Sequence, residues 1–151
     1  MKGILVLIVA LVLSGTAAGE PRVRVIDGDG LEVGEVVIRL WGIDAPELDQ
    51  TCELEGRTTP CGEDARFVLD ALVAPGGLVC ETKDRDRYRR TVAQCFVGGA
   101  DLAGELVRQG YALDWRRYSG GHYAAQEAEA RENGRGLWAG EFVKPWEWRK
   151  R

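Results

Sequence analysis

The stretch RVRVIDGDGLEVGEVVIRLWGI, residues 22–43, constrains this chain more than any other. Val and Ile dominate it, and their branched side chains fit a pleated surface better than a helix. Glycines break it at intervals, so it predicts about three strands in a meander. Residues 36–43 are apolar on both alternating faces, as in a barrel strand covered outside by a helix. Yet Arg39 stands inside that run, leading Leu40, Trp41 and Ile43, and Asp44, Pro46 and Glu47 end it. Burying a charge without a partner is expensive. Arg39 therefore either pairs with a neighbouring acid, Glu47 among them, or waits for an anion from outside.

A length of 151 residues suits one domain with one core. Lys2, the apolar run ILVLIVALVL (4–13) and the small residues SGTAAG (14–19) form a secretory signal peptide over residues 1–19. The run is short for a membrane span. The expected product is a periplasmic or secreted protein of residues 20–151, with no stable membrane anchor after cleavage. Export makes the four cysteines, Cys52, Cys61, Cys80 and Cys95, candidates for two disulfides. Of three connectivities, neighbour pairing closes a loop in one case and joins two adjacent strands in the other. That pairing, Cys52–Cys61 and Cys80–Cys95, is the expectation. No CxxC spacing supports zinc.

Further along, TCELEGRTTPCGEDA (51–65) predicts a loop, and residues 63–73 a helix ended by APGG. LVCETKDRD and TVAQCFV predict two strands flanking an arginine-rich turn. Asp101 and Gly110 bracket a second helix, and a third covers residues 122–133. The aromatic tail GLWAGEFVKPWEWRKR (136–151) should lie against the barrel. The sum is an α+β, mainly β domain: a five-stranded oligonucleotide/oligosaccharide-binding (OB) barrel with about three helices.

Net charge is −4, so any attraction for a polyanion must be local. Arginines do cluster, at KDRDRYRR (83–90), WRRY (115–118) and WEWRKR (146–151). VIDGDG (25–30) offers two carboxylates at a tight turn. It is no EF-hand, because Leu31, Glu32 and Ile38 fall at the fifth, sixth and twelfth loop positions. Asp44 and Glu47 are close enough to share a cation or a proton. Tyr88 among arginines suits stacking on a base beside phosphate-gripping guanidinium groups. His122 lies outside these segments and receives no role.

Asp-Gly-Asp (27–29), Arg-Leu-x-x-Ile-Asp-x-Pro-Glu (39–47), Asp-x-Tyr-x-Arg (86–90) and LVRQGYA (106–112) occur in that order. Together they resemble the staphylococcal nuclease-like (thermonuclease) family, and the cysteines and closing tail are similar to its exported bacterial branch. The resemblance implies a Ca²⁺-dependent enzyme cleaving DNA or RNA, with no obligate protein partner. It implies that Asp29, Asp44 and the Ala45 carbonyl hold the metal, with Asp27 behind them. Glu47 would be the general base, Arg39 and Arg90 the phosphate clamps, and Tyr88 and Tyr118 the nucleotide flanks. Two positions depart from the family: Gly30 replaces a frequent threonine, and Arg89 a usual glycine. Strand alternation would send Arg90 to the site and Arg89 outward. The alternative from another class is a non-catalytic OB barrel binding nucleic acid or another anionic polymer. Such a module needs the arginines and aromatics but not the carboxylates.

Overall fold

The structure, a computed structural model, describes Gly19 and residues 21–151. Apart from Gly19, the predicted signal peptide lies outside the described residues. The meander forms as three strands: β1 (Val23–Asp27), β2 (Gly30–Val33) and β3 (Val36–Leu40). A short β4 (Ile43–Asp44) follows. The segment expected to be a loop is instead a hairpin of β5 (Cys52–Leu54) and β6 (Arg57–Thr59). Its two turn residues, Glu55 and Gly56, both have positive φ, 50° and 72°. Such turns usually carry Asn or Asp first, and Glu55 hid the signal.

Helix α1 (Cys61–Val73) starts two residues earlier than expected. Strands β7 (Val79–Arg85) and β8 (Thr91–Val97) flank the arginine-rich turn, and a short β9 (Ala100–Asp101) returns along β8. In α2 (Leu102–Arg108), the Asp101 side chain accepts from the Ala103 and Gly104 N–H groups, the predicted cap. Then come β10 (Leu113–Asp114), α3 (Arg116–Ser119), α4 (Ala124–Glu132), a 3₁₀ turn (Gly136–Ala139), β11 (Gly140–Glu141) and α5 (Pro145–Trp148). Three helices fall where the sequence placed them. The other two among the described residues, α3 and α5, are single turns too short for periodicity to reveal.

The main sheet runs β1-β2-β3-β8-β7, antiparallel except for the parallel β3–β8 pair. Counted along the chain, the five long strands stand in the order 1-2-3-5-4, which is the OB barrel. Its core gathers Leu31, Ile38, Leu40, Leu69, Leu102, Leu106 and Tyr123. Val36 and Val37 stay exposed, so the outer cover of β3 reaches only its second half. A second apolar cluster joins Cys52, Cys61, Leu113 and Leu137, with Trp146 of the tail packed against it. The disulfides are Cys52–Cys61 and Cys80–Cys95, as expected. Among the described residues, no helix is long and apolar enough to cross a membrane.

Candidate active site

The turn between β1 and β2 places the first acid. A Cβ on Gly28 would stand 2.7 Å from the Ala45 Cβ and 2.8 Å from the Ala65 Cβ. Only glycine lets this turn lie so close to both α1 and the chain after β4. That approach brings Asp29 to Ala45, whose N–H donates to Asp29 Oδ2 at 2.9 Å. Asp27 Oδ1 accepts from the Asp29 N–H at 3.1 Å. It lies 2.7 Å from where a Gly30 Cβ would stand, so the departure at Gly30 makes room for this carboxylate.

Arg39 answers the question its burial raised, though not by pairing with Glu47. Its Nη1 lies 3.2 Å from Asp29 Oδ1 and its Nη2 3.1 Å from Asp44 Oδ1. The guanidinium thus bridges the two expected metal ligands, 5.3 Å from the centre of the Trp115 ring. Asp44 is fully buried, and burial pushes its carboxyl up to about 6, against the opposing pull of Arg149. The charge of Asp29 adds to the rise. An acid raised on folding stabilises most when protonated. Its contribution therefore falls as pH climbs from 3.8 to about 6. Burial and Asp29 push Asp27 upward as well.

Glu47 is held through its backbone. Its N–H donates to the side-chain oxygen of buried Gln50 at 3.2 Å, and the Gln50 amide donates to the Val143 carbonyl at 2.6 Å. Gly62 in the first turn of α1 packs flat on this loop, and a Cβ there would stand 1.8 Å from the Glu47 carbonyl oxygen. The Glu47 side chain meets Arg149.

Across the cleft, Arg90 Nε donates to Asp86 Oδ2 at 2.7 Å, while the Arg90 and Tyr88 N–H groups bind Asp86 Oδ1. Burial opposes it, but the hydrogen bonds and charge of Arg90 hold the Asp86 carboxyl below its ordinary value. The Arg90 guanidinium lies 5.5 Å from the Tyr88 ring centre. Arg90 lines the cleft and Arg89 does not, as expected, but the reason differs. Both residues precede β8, and Arg89 sits in the left-handed region with φ 67°, so a turn rather than strand alternation separates them.

One cleft of about 1210 Å³ receives Asp27, Asp29, Arg39, Asp44, Ala45, Glu47, Tyr88, Arg90 and Tyr118. Every catalytic, metal and substrate-binding position expected from the sequence lines it. His122 instead packs edge-on against Trp41 and Tyr123. Sequence reasoning missed Gln50, Trp115, Trp146 and Arg149. The basic, aromatic composition of the tail was visible, but no motif links Arg149 to Asp44 across 105 residues.

Fold and cleft together define an OB barrel with an acid–arginine centre. Residues 37–140 match the staphylococcal nuclease homologue family, and the chain belongs to it. It is 37% identical over 139 residues to the succinoglycan biosynthesis protein ExoI of Rhizobium meliloti, covering 88% of this chain and 73% of that one. It is 30% identical over 154 residues to an uncharacterized endonuclease of Haemophilus influenzae, covering 95% and 82%. With the probable staphylococcal-like nuclease CAN2 of Oryza sativa it shares 32% identity over 115 residues, 75% of this chain but 29% of that protein.

Proposed function

We propose that this protein is an exported, Ca²⁺-dependent nuclease hydrolysing phosphodiester bonds of DNA, RNA or both. One observation carries the reading: two bridged carboxylates, a third acid, two arginines and two exposed tyrosines converge on one cleft. Family membership and nuclease-named relatives support the reaction class. The two disulfides support an oxidising compartment.

The donor set fits a hard cation. Asp29, Asp44 and the Ala45 carbonyl offer oxygen only, the donor type a hard cation takes, and burial first of all raises the Asp44 and half-buried Asp27 carboxyls. Among the described residues, no three His, Cys, Asp or Glu side chains gather as a metal-holding group. Solvent and phosphate oxygens would complete the shell. Bound Ca²⁺ supplies positive charge beside the phosphate oxygens.

Arg39 and Arg90 present planar forks to those oxygens and stabilise the charge that develops as the bond breaks. Glu47 accepts the proton of the attacking water, and its backbone tie to Gln50 keeps it in place. Tyr88 and Tyr118, 65% and 54% exposed, offer ring faces to the sugar and base. A purely binding barrel has no need of the buried, mutually repelling acids.

Incubating residues 20–151 with single-stranded DNA, in Ca²⁺ and then in excess chelator, tests the proposal. Cleavage in Ca²⁺ alone is expected. Full cleavage in chelator removes the Ca²⁺ assignment, and binding without cleavage in either favours the non-catalytic barrel.

A further inference from the structure

Arg149 lies beyond the segment that matches the family, residues 37–140, yet it reaches the centre of the cleft. Its Nη1 donates to Asp44 Oδ1 at 3.0 Å and its Nη2 to Asp44 Oδ2 at 2.9 Å. The same Nη1 meets Glu47. One guanidinium therefore spans an expected metal ligand and the expected base. The segment carrying it is anchored: Trp146 stacks on Trp115 with rings 6.2 Å apart and 7° from parallel, and Pro145 is buried. The Arg149 guanidinium itself lies 5.6 Å from the Trp115 ring centre. Its side chain is still 36% exposed, so it can leave toward solvent without unpacking the core.

We propose that Arg149 is an affinity-setting residue of the cation site, a tethered charge that a divalent cation displaces from Asp44 and Glu47. This rests on the Ca²⁺ reading above. Both oxygens of Asp44 are engaged by Arg149, and Arg39 takes a further bond to Oδ1. A doubly charged ion on the same carboxylate meets like-charge repulsion from a guanidinium in direct contact. Displacement frees Glu47 at the moment the metal arrives, so the base is released only in the loaded site. Trp115 retains the indole of Trp146 while the last residues let go.

The test is Ca²⁺ titration by calorimetry of residues 20–151 and of Arg149→Gln, with amide hydrogen exchange over residues 147–151. Arg149→Gln is expected to bind Ca²⁺ about tenfold more tightly, the scale of one partly screened charge contact. Ca²⁺ should accelerate exchange of the last residues in the unaltered chain and leave it unchanged in Arg149→Gln. Arg149→Lys, a point charge that cannot span both acids, should bind Ca²⁺ with intermediate affinity. Urea unfolding without metal establishes that each variant is folded. Equal or weaker Ca²⁺ binding by Arg149→Gln, or slowed exchange on loading, overturns the displacement and makes Arg149 a strut, leaving the nuclease reading intact. Absence of Ca²⁺ binding in all three forms overturns the metal reading itself, and this proposal with it.

Discussion

At the residue scale, Glu47 and the arginine pair after Tyr88 carry the sharpest consequences. Glu47→Gln keeps the hydrogen-bonding shape but cannot take a proton. It should still bind nucleotide and cleave about 10²–10⁴-fold more slowly in single-turnover assays. Near-normal turnover would reduce Glu47 to a counterion of Arg149. Arg89 has φ 67°, a conformation in which a Cβ is strained. Arg89→Gly should therefore stabilise by about 1 kcal/mol in urea unfolding, discounted for the freedom glycine gains in the unfolded chain. Because Arg89 does not line the cleft, that variant should also keep its activity, whereas Arg90→Lys loses the planar fork and most of the rate. Asp86 offers a check on the same turn. Its folded carboxyl titrates below the ordinary value, so its stabilising contribution is present above the unfolded value. It is lost as pH falls through the folded one. Carbon-detected NMR titration should move Asp86 upward in Arg90→Ala, although the two backbone N–H bonds remain, and an unchanged midpoint would deny that the Arg90 side chain is its partner.

Among the elements, the β7–β8 hairpin is tied at its base, where Cys80 and Cys95 stand opposite each other and are disulfide-bonded. Their separation is 15 residues, a loop whose closure is worth about 3 kcal/mol in the chain-entropy model. Replacing both by alanine should lower the urea midpoint accordingly. The loss should fall mainly on stability, because Tyr88 and Arg90 sit at the far end of the hairpin. An equal loss of cleavage in the folded double variant would show that the hairpin itself must be stapled for the turn to form. The other disulfide, Cys52–Cys61, joins β5 to the first residue of α1. It also holds Gly62 against the Glu47 loop, so that disulfide supports the site as well as the fold.

For the molecule as a whole, charge and cleft disagree in sign. The chain carries −4, yet seven basic side chains, Arg39, Lys83, Arg87, Arg90, Arg117, Arg149 and Lys150, line the cleft against six acids. Single-stranded nucleic acid should thus bind with strong salt dependence despite the acidic total. The slope of log K against log salt should be about −2 for some three phosphates neutralised. Fluorescence anisotropy of a labelled oligonucleotide, measured with Glu47→Gln to prevent cleavage, reads it directly. A slope near zero would mean that phosphate contacts contribute little.

What the sequence determined by itself was whatever short-range chemistry controls. The Val/Ile meander, the Asp101 cap, the three longer helices and the apolar strand ending in two acids were all legible. Their signals are periodicity, caps and turns within a few residues. The expected ligands, base and clamps were named through the resemblance that four short ordered motifs carry, whereas Trp115, Trp146 and Arg149 of the same cleft were not. Only the tertiary structure decided who pairs with whom. Arg39 chose Asp29 and Asp44 over nearby Glu47, because the glycine at position 28 lets the β1–β2 turn press onto Ala45 and bring Asp29 within reach. Glu47 took Arg149, from the far end of the chain. A charged side chain accepts any counter-charge the fold brings into contact, and sequence distance has no part in that choice.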